Sequence, residues 1–234
     1  MAPCDRTKTL VDFLLPLAIL VPLSIIFHLT DLDLTLLANF HDPILGWRLA
    51  DRFPWRQLYN YGTLPATILA GGALLTLLSS LFTGKTAPFR RQALFLVLLM
   101  AIGPGLLVNV IFKDHWGRPR PREIQRFAGA ERFLPVWSKG VDGNGYSFPS
   151  GHASMGFYLV APYFILRRSR PGMARLFLGG GIGAGIMIGV ARMVQGGHFA
   201  SDVLWSGGFV YLSGMILYHL LLKGKNGDST AATS

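Results

Sequence analysis

Six stretches of about twenty mostly apolar residues recur along this 234-residue chain, and no other feature limits its fold as strongly. They run over Leu10–Leu29, Leu58–Phe82, Gln92–Phe112, Phe148–Leu166, Arg175–Ala191 and Val203–Leu222. About 20 apolar residues cross the ~30 Å of hydrocarbon in a bilayer. In lipid every backbone polar group must be satisfied internally, so a span is a helix or part of a closed barrel. The period-2 alternation of a barrel is absent. The expected fold is therefore all-α, a polytopic membrane bundle of six transmembrane helices. The fourth stretch is the weakest, because it begins with Pro149, Ser150 and His152. The apolar core of the first, Phe13 to Phe27, is at or beyond the upper limit for a secretory signal core and no A-x-A site follows it, so it reads as a retained anchor.

One membrane domain over residues 1–234 follows. Residues 30–57 read as one or two helices lying on the outer leaflet, residues 113–147 as an outer loop, and residues 223–234 as a flexible cytoplasmic tail. The segments between spans carry basic residues unequally. Eleven fall within 39 positions on the side of both termini, and eleven within 74 positions on the other. Lys/Arg enrichment marks the cytoplasmic side, so both termini are expected in the cytoplasm. A formal charge of +10 would suggest nucleic acid in a soluble protein. Here 51% of residues are hydrophobic and 15% charged, against about 25% charged in soluble domains, and the partner expected is the bilayer, not nucleic acid. The only cysteine, Cys4, excludes an intrachain disulfide. All five tryptophans (47, 55, 116, 137 and 205) fall on or near the outer side, where they read as interfacial belt residues.

Some glycines mislead. Gly179, Gly181 and Ala184 loosely match a dinucleotide fingerprint, but that motif needs a preceding strand, and none is available inside an apolar span. Gly181, Gly185 and Gly189 recur every four residues and so form one flat face for helix packing. Gly103-Pro104-Gly105 is expected to bend the third span.

Polar residues at membrane depth are costly and mark function. Three clusters lie on the outer side: Lys113 to Pro121, Phe148 to His152, and Arg192 to Asp202. Lys113, Arg120 and Arg192 supply positive charge and donors suited to phosphate. Ser150, Gly151 and His152 open a helix, where backbone N–H groups and the dipole favour an anion. His198 and Asp202 are four apart, on one helix face, so the carboxylate can orient the imidazole as a nucleophile. His152 is then free to act as an acid. His115, Arg118 and Arg122 read as solvated loop residues, while Arg126, Arg132 and Lys139 hint at a second phosphate. The residues alone also admit a zinc site on His152, His198 and Asp202, or an anion channel.

These clusters resemble the type-2 phosphatidic acid phosphatase superfamily of membrane lipid phosphatases, whose pattern is K-x6-R-P, P-S-G-H and S-R-x5-H-x3-D. Lys113 with Arg120-Pro121 matches the first part, Pro149 to His152 the second, and Arg192, His198 and Asp202 the third. Ala191 departs from the pattern's usual Ser. The resemblance implies that His198 attacks phosphorus to form a phosphohistidine, that Asp202 orients it and that His152 protonates the leaving oxygen. Lys113, Arg120, Arg192, Ser150 and the Gly151 amide would hold the phosphoryl oxygens, with no metal or other cofactor. It implies a membrane lipid phosphate as substrate: undecaprenyl pyrophosphate, phosphatidylglycerol phosphate, phosphatidic acid or lipid A. The site would face the periplasm from a bacterial inner membrane. A phosphotransferase could use the same phosphoenzyme.

Overall fold

A computed structural model describes residues 3–223, and from residue 224 onward the expected cytoplasmic tail lies outside the described residues. The described residues form an all-helical fold. Its helices are α1 (Pro3–Leu29), α2 (Leu32–Ala38), α3 (Trp55–Tyr61), α4 (Leu64–Phe82), α5 (Arg90–Met100), α6 (Lys113–His115), α7 (Gly151–Tyr158), α8 (Ala161–Leu166), α9 (Pro171–Val194) and α10 (Ala200–Leu217). Short bridges, Asp42 to Gly46 and Ile124 to Glu131, are the only β-pairings among the described residues.

Among the described residues, five helical stretches are long and apolar enough to cross a membrane: Leu10–Leu29, Trp55–Phe82, Ala87–His115, Pro171–Val194 and Ala200–Leu222. The expected fourth span differs. It is two short helices, α7 and α8, with a break at Leu159 and Val160. Pro162 sits in the first turn of α8, where its missing N–H costs nothing but prevents an unbroken helix. The third span runs from α5 through a π-wound stretch, Ala101–Phe112, into α6. Pro104 lies within that stretch and cannot donate to the preceding turn; Asn109 Nδ2 bonds its carbonyl at 2.6 Å.

The glycine face of α9 packs as expected. Gly181, Gly185 and Gly189 are buried, and a Cβ at each would strike Val160, Phe157 and Val203 respectively. Close approach of α7 and α9 fixes His152 and Arg192 on facing elements. On another side of α9, α3 comes close enough that a Cβ at Gly62 would meet Ile188.

The tryptophans do more than form a belt. Trp137 and Trp205 both donate to Ser24 Oγ, at 2.6 and 2.9 Å, and Trp116 donates to the Val136 carbonyl at 3.1 Å. Trp137 meets Trp116 and Trp205 edge to face. These rings tie the 113–147 loop to α1 and α10.

Candidate active site

The three clusters meet at one end of the bundle. Helix α9 closes in a Schellman turn. Gly196 takes φ +59°, its N–H bonds Met193, and the Gly197 N–H bonds Arg192 at 2.8 Å. A Cβ at Gly197 would collide with the Arg192 guanidinium, so glycine there lets Arg192 fold over the turn. His198 follows directly. At the start of α7, a Cβ on Gly151 would stand 3.5 Å from Lys113 Nζ. The Ser150 N–H lies 2.8 Å from Ser206 Oγ and 3.4 Å from the Asp202 carbonyl, which docks this helix start on α10.

Lys113, Arg120, His152, Arg192 and His198 line one cleft of about 530 Å³. The Nε atoms of Arg120 and Arg192 are buried with no hydrogen-bond partner among the described residues. Buried donors left unmade are costly, which favours an acceptor ligand here. Arg192 also bonds Gln195, and Arg120 lies 3.7 Å from Glu123. Tyr59 of α3 stacks on His152 at 5.0 Å and takes the Arg192 guanidinium on its ring at 4.6 Å. One aromatic ring thus orients both groups. Ser150 and Gly151 are buried behind the lining, and the Ser150 hydroxyl caps α7 by accepting from the Ala153 N–H at 3.4 Å.

His198 is only 3% exposed. Its Nδ1 lies 2.6 Å from the Ser147 carbonyl, which can only accept. Nδ1 therefore carries the proton and Nε2 the lone pair. Burial holds this imidazole below its ordinary pKa, hence neutral.

Asp202 stands 3.8 Å from His198 Nδ1, an ion-pair distance longer than a hydrogen bond. Far from having His198 as its one partner, Asp202 is the hub of a buried network. It accepts from Ser147 Oγ at 2.6 Å, the Phe199 N–H at 2.7 Å and Arg118 Nη1 at 2.5 Å. It grips the residue after His198 and the residue whose carbonyl holds the ring.

Arg118, expected in solvent, is wholly buried. It joins Asp202 to Asp33 of α2 at 2.9 Å, donates to Ser201 Oγ and the Leu134 carbonyl, and lies over the Phe199 ring at 4.2 Å. Five donors in a rigid fork suit a guanidinium to this task. Asp33 also accepts from the Ser201 N–H and hydroxyl. Its signal in the sequence was a carboxylate inside the apolar run Leu32–Ala38. Arg122, also expected in solvent, lines the cleft, whereas Arg126, Arg132 and Lys139 do not; Lys139 pairs with Asp142 at 2.8 Å. Ala191 is buried in α9. No three His, Cys, Asp or Glu side chains among the described residues are arranged to hold a metal ion.

The sequence model of the PAP2 superfamily matches residues 92–225, which carry all three clusters. The chain belongs to that superfamily. Among relatives of this PAP2 protein is a lipid A 4'-phosphatase of Francisella tularensis subsp. novicida (strain U112). It is 43% identical over 159 residues, 65% of this chain and 68% of that protein. A lipid A 4'-phosphatase of Rhizobium leguminosarum is 35% identical over 125 residues, 53% of this chain and 50% of its own. Phosphatidylglycerophosphatase B of Bacillus subtilis (strain 168) is 30% identical over 135 residues, 55% of this chain and 56% of its own. The match thus spans about two thirds of the first relative and about half of the other two. No solved structure matches the chain. With its apolar helices and phosphatase relatives, this PAP2 protein is a membrane phosphoric ester hydrolase.

Proposed function

We propose that this protein is a metal-independent lipid phosphatase that works through a phosphohistidine on His198, with lipid A as its substrate. The observation that carries this reading is the cleft itself. Lys113, Arg120 and Arg192 line one cleft with a neutral, tautomer-fixed imidazole, and two of these cations have a buried donor with no partner among the described residues. Such a cluster stabilises the charge spread over the equatorial oxygens during displacement at phosphorus. The choice of lipid A follows the Francisella and Rhizobium relatives.

In this reading the His198 Nε2 lone pair attacks phosphorus as the P–O bond to the lipid breaks. His152 gives its proton to the leaving oxygen. Water then attacks the phosphohistidine, His152 takes the water's proton, and inorganic phosphate leaves a neutral His198. Asp202 acts by holding Ser147, Phe199 and so the ring between them. Ser150 and Gly151, behind the lining, act by fixing the start of α7 and so the position of His152. In this reading both termini lie in the cytoplasm and the cleft on the periplasmic side of the inner membrane, an orientation that the denser basic segments on the side of the termini support.

The test is phosphate release from purified lipid phosphates in detergent with chelator present. Inorganic phosphate from lipid A, insensitive to chelator and blocked by vanadate, is expected. Activity lost to chelator and restored by zinc would favour a metal hydrolase. Phosphate moved to a second lipid without release would make it a transferase.

A further inference from the structure

A phosphoryl group needs the room of roughly three waters at ~30 Å³ each, yet the cleft holds about 530 Å³. The catalytic cations and histidines account for part of its wall. The rest includes Asp51, Arg56, Asn60 and Arg122. Arg56 and Asn60 are four apart on α3, flanking Tyr59, so they share the face that Tyr59 turns to His152 and Arg192. Arg56 is the only formally charged residue of the stretch Trp55–Phe82, and with Asn60 it lies in the first two turns, at the mouth of the cleft. The Asn60 and Arg122 side chains have no hydrogen-bond or ion-pair partner among the described residues, and both are exposed to the cleft.

The chemistry of this wall selects between headgroups. A second phosphate would call for cations alone. Here a carboxylate, Asp51, stands 4.0 Å from Arg56 Nη1, and Asn60 offers both an acceptor and donors. A carboxylate repels a second phosphate but accepts from hydroxyl groups, while guanidinium and amide N–H groups donate to them. Mixed donors and acceptors match a ring bearing several hydroxyls.

We propose that Arg56 and Asn60 of α3, with Asp51 and Arg122, form a headgroup subsite for the sugar ring that bears the scissile phosphate. This rests on the phosphatase reading above and adds to it the part of the substrate that the PAP2 motifs do not touch. Selection comes from α3 and the rim, outside the three sequence clusters.

The experiment compares lipid A with phosphatidic acid, a lipid phosphate without a sugar, in one preparation of full-length protein. The readout is the ratio of kcat/KM for the two substrates. Because both are assayed on the same protein, any loss of folded enzyme cancels. Wild type is expected to favour lipid A. Asn60→Ala and Arg122→Ala are each expected to lower that ratio about tenfold, the effect of losing one good hydrogen bond, mainly through KM for lipid A. If the wild type turns over lipid A and both variants keep its ratio within twofold, the subsite is wrong while the phosphatase reading stands. A wild-type preference for phosphatidic acid would overturn the subsite and the choice of lipid A, and would leave the phosphohistidine lipid phosphatase standing. Release of phosphate from neither lipid would overturn both.

Discussion

Arg118 has no exposure to solvent and is shared between two carboxylates, Asp33 and Asp202. Removing one partner of a buried ion pair leaves an uncompensated charge and costs about 3–5 kcal/mol. Arg118→Met is therefore expected to lower the melting temperature by on the order of 10 °C; a shift under about 2 °C by thermal unfolding in detergent would contradict the network. Asp202→Asn should slow turnover by roughly 10²–10⁴, and because it also weakens the Arg118 pair it should unfold at a lower temperature. His198 gives a pH dependence of stability. Burial lowers its folded pKa, so below the unfolded value of about 6.5 the unfolded chain binds the proton and the folded state does not. Stability is lost as pH falls below about 6.5. The melting temperature of wild type minus that of His198→Gln should decrease between pH 7 and pH 5, and a constant difference would contradict a buried neutral imidazole. His152, His198, Asp202 and the three cations were legible in the sequence because their chemistry is unusual at the ends of apolar spans. Arg118 was not, since its burial depends on Asp33, 85 residues away, and nothing near it in the chain announces that partner.

At the scale of elements, the glycine face of α9 does most to position the site. Gly185→Leu would drive a side chain into Phe157 of α7 and force apart the elements bearing His152 and Arg192. Overpacking of this kind costs about 1–3 kcal/mol, and both activity and melting temperature should fall. Gly183, with open space where a Cβ would go, is the control: Gly183→Leu should change either little. Equal effects of the two variants would contradict the packing. The four-residue glycine spacing made this face readable in advance. The division of the fourth stretch into α7 and α8 was harder to foresee, because mean hydropathy does not register the first-turn proline at 162. Helix α3 was read only as the edge of an outer-leaflet segment and the start of the second span. That Tyr59 reaches His152 depends on tertiary packing of α3 against α9, which periodicity alone does not contain.

For the whole molecule, the bundle and the meeting of three distant clusters at one end followed from span count and motif position. Orientation across the membrane rests on charge density. In a Cys4→Ser background, Asn144→Cys in the 113–147 loop should react with an impermeant thiol reagent in intact cells whose outer membrane admits it. Ser169→Cys, in the basic segment between α8 and α9, should react only after lysis. The reverse pattern would place the cleft in the cytoplasm.

The phosphoenzyme is the center of the account, and rapid quench with radiolabelled lipid phosphate tests it most directly. Wild type should yield an acid-labile phosphoprotein whose label maps to His198, and His198→Ala should yield neither label nor turnover. Near-normal turnover by His198→Ala, or a label that survives acid, would contradict the mechanism.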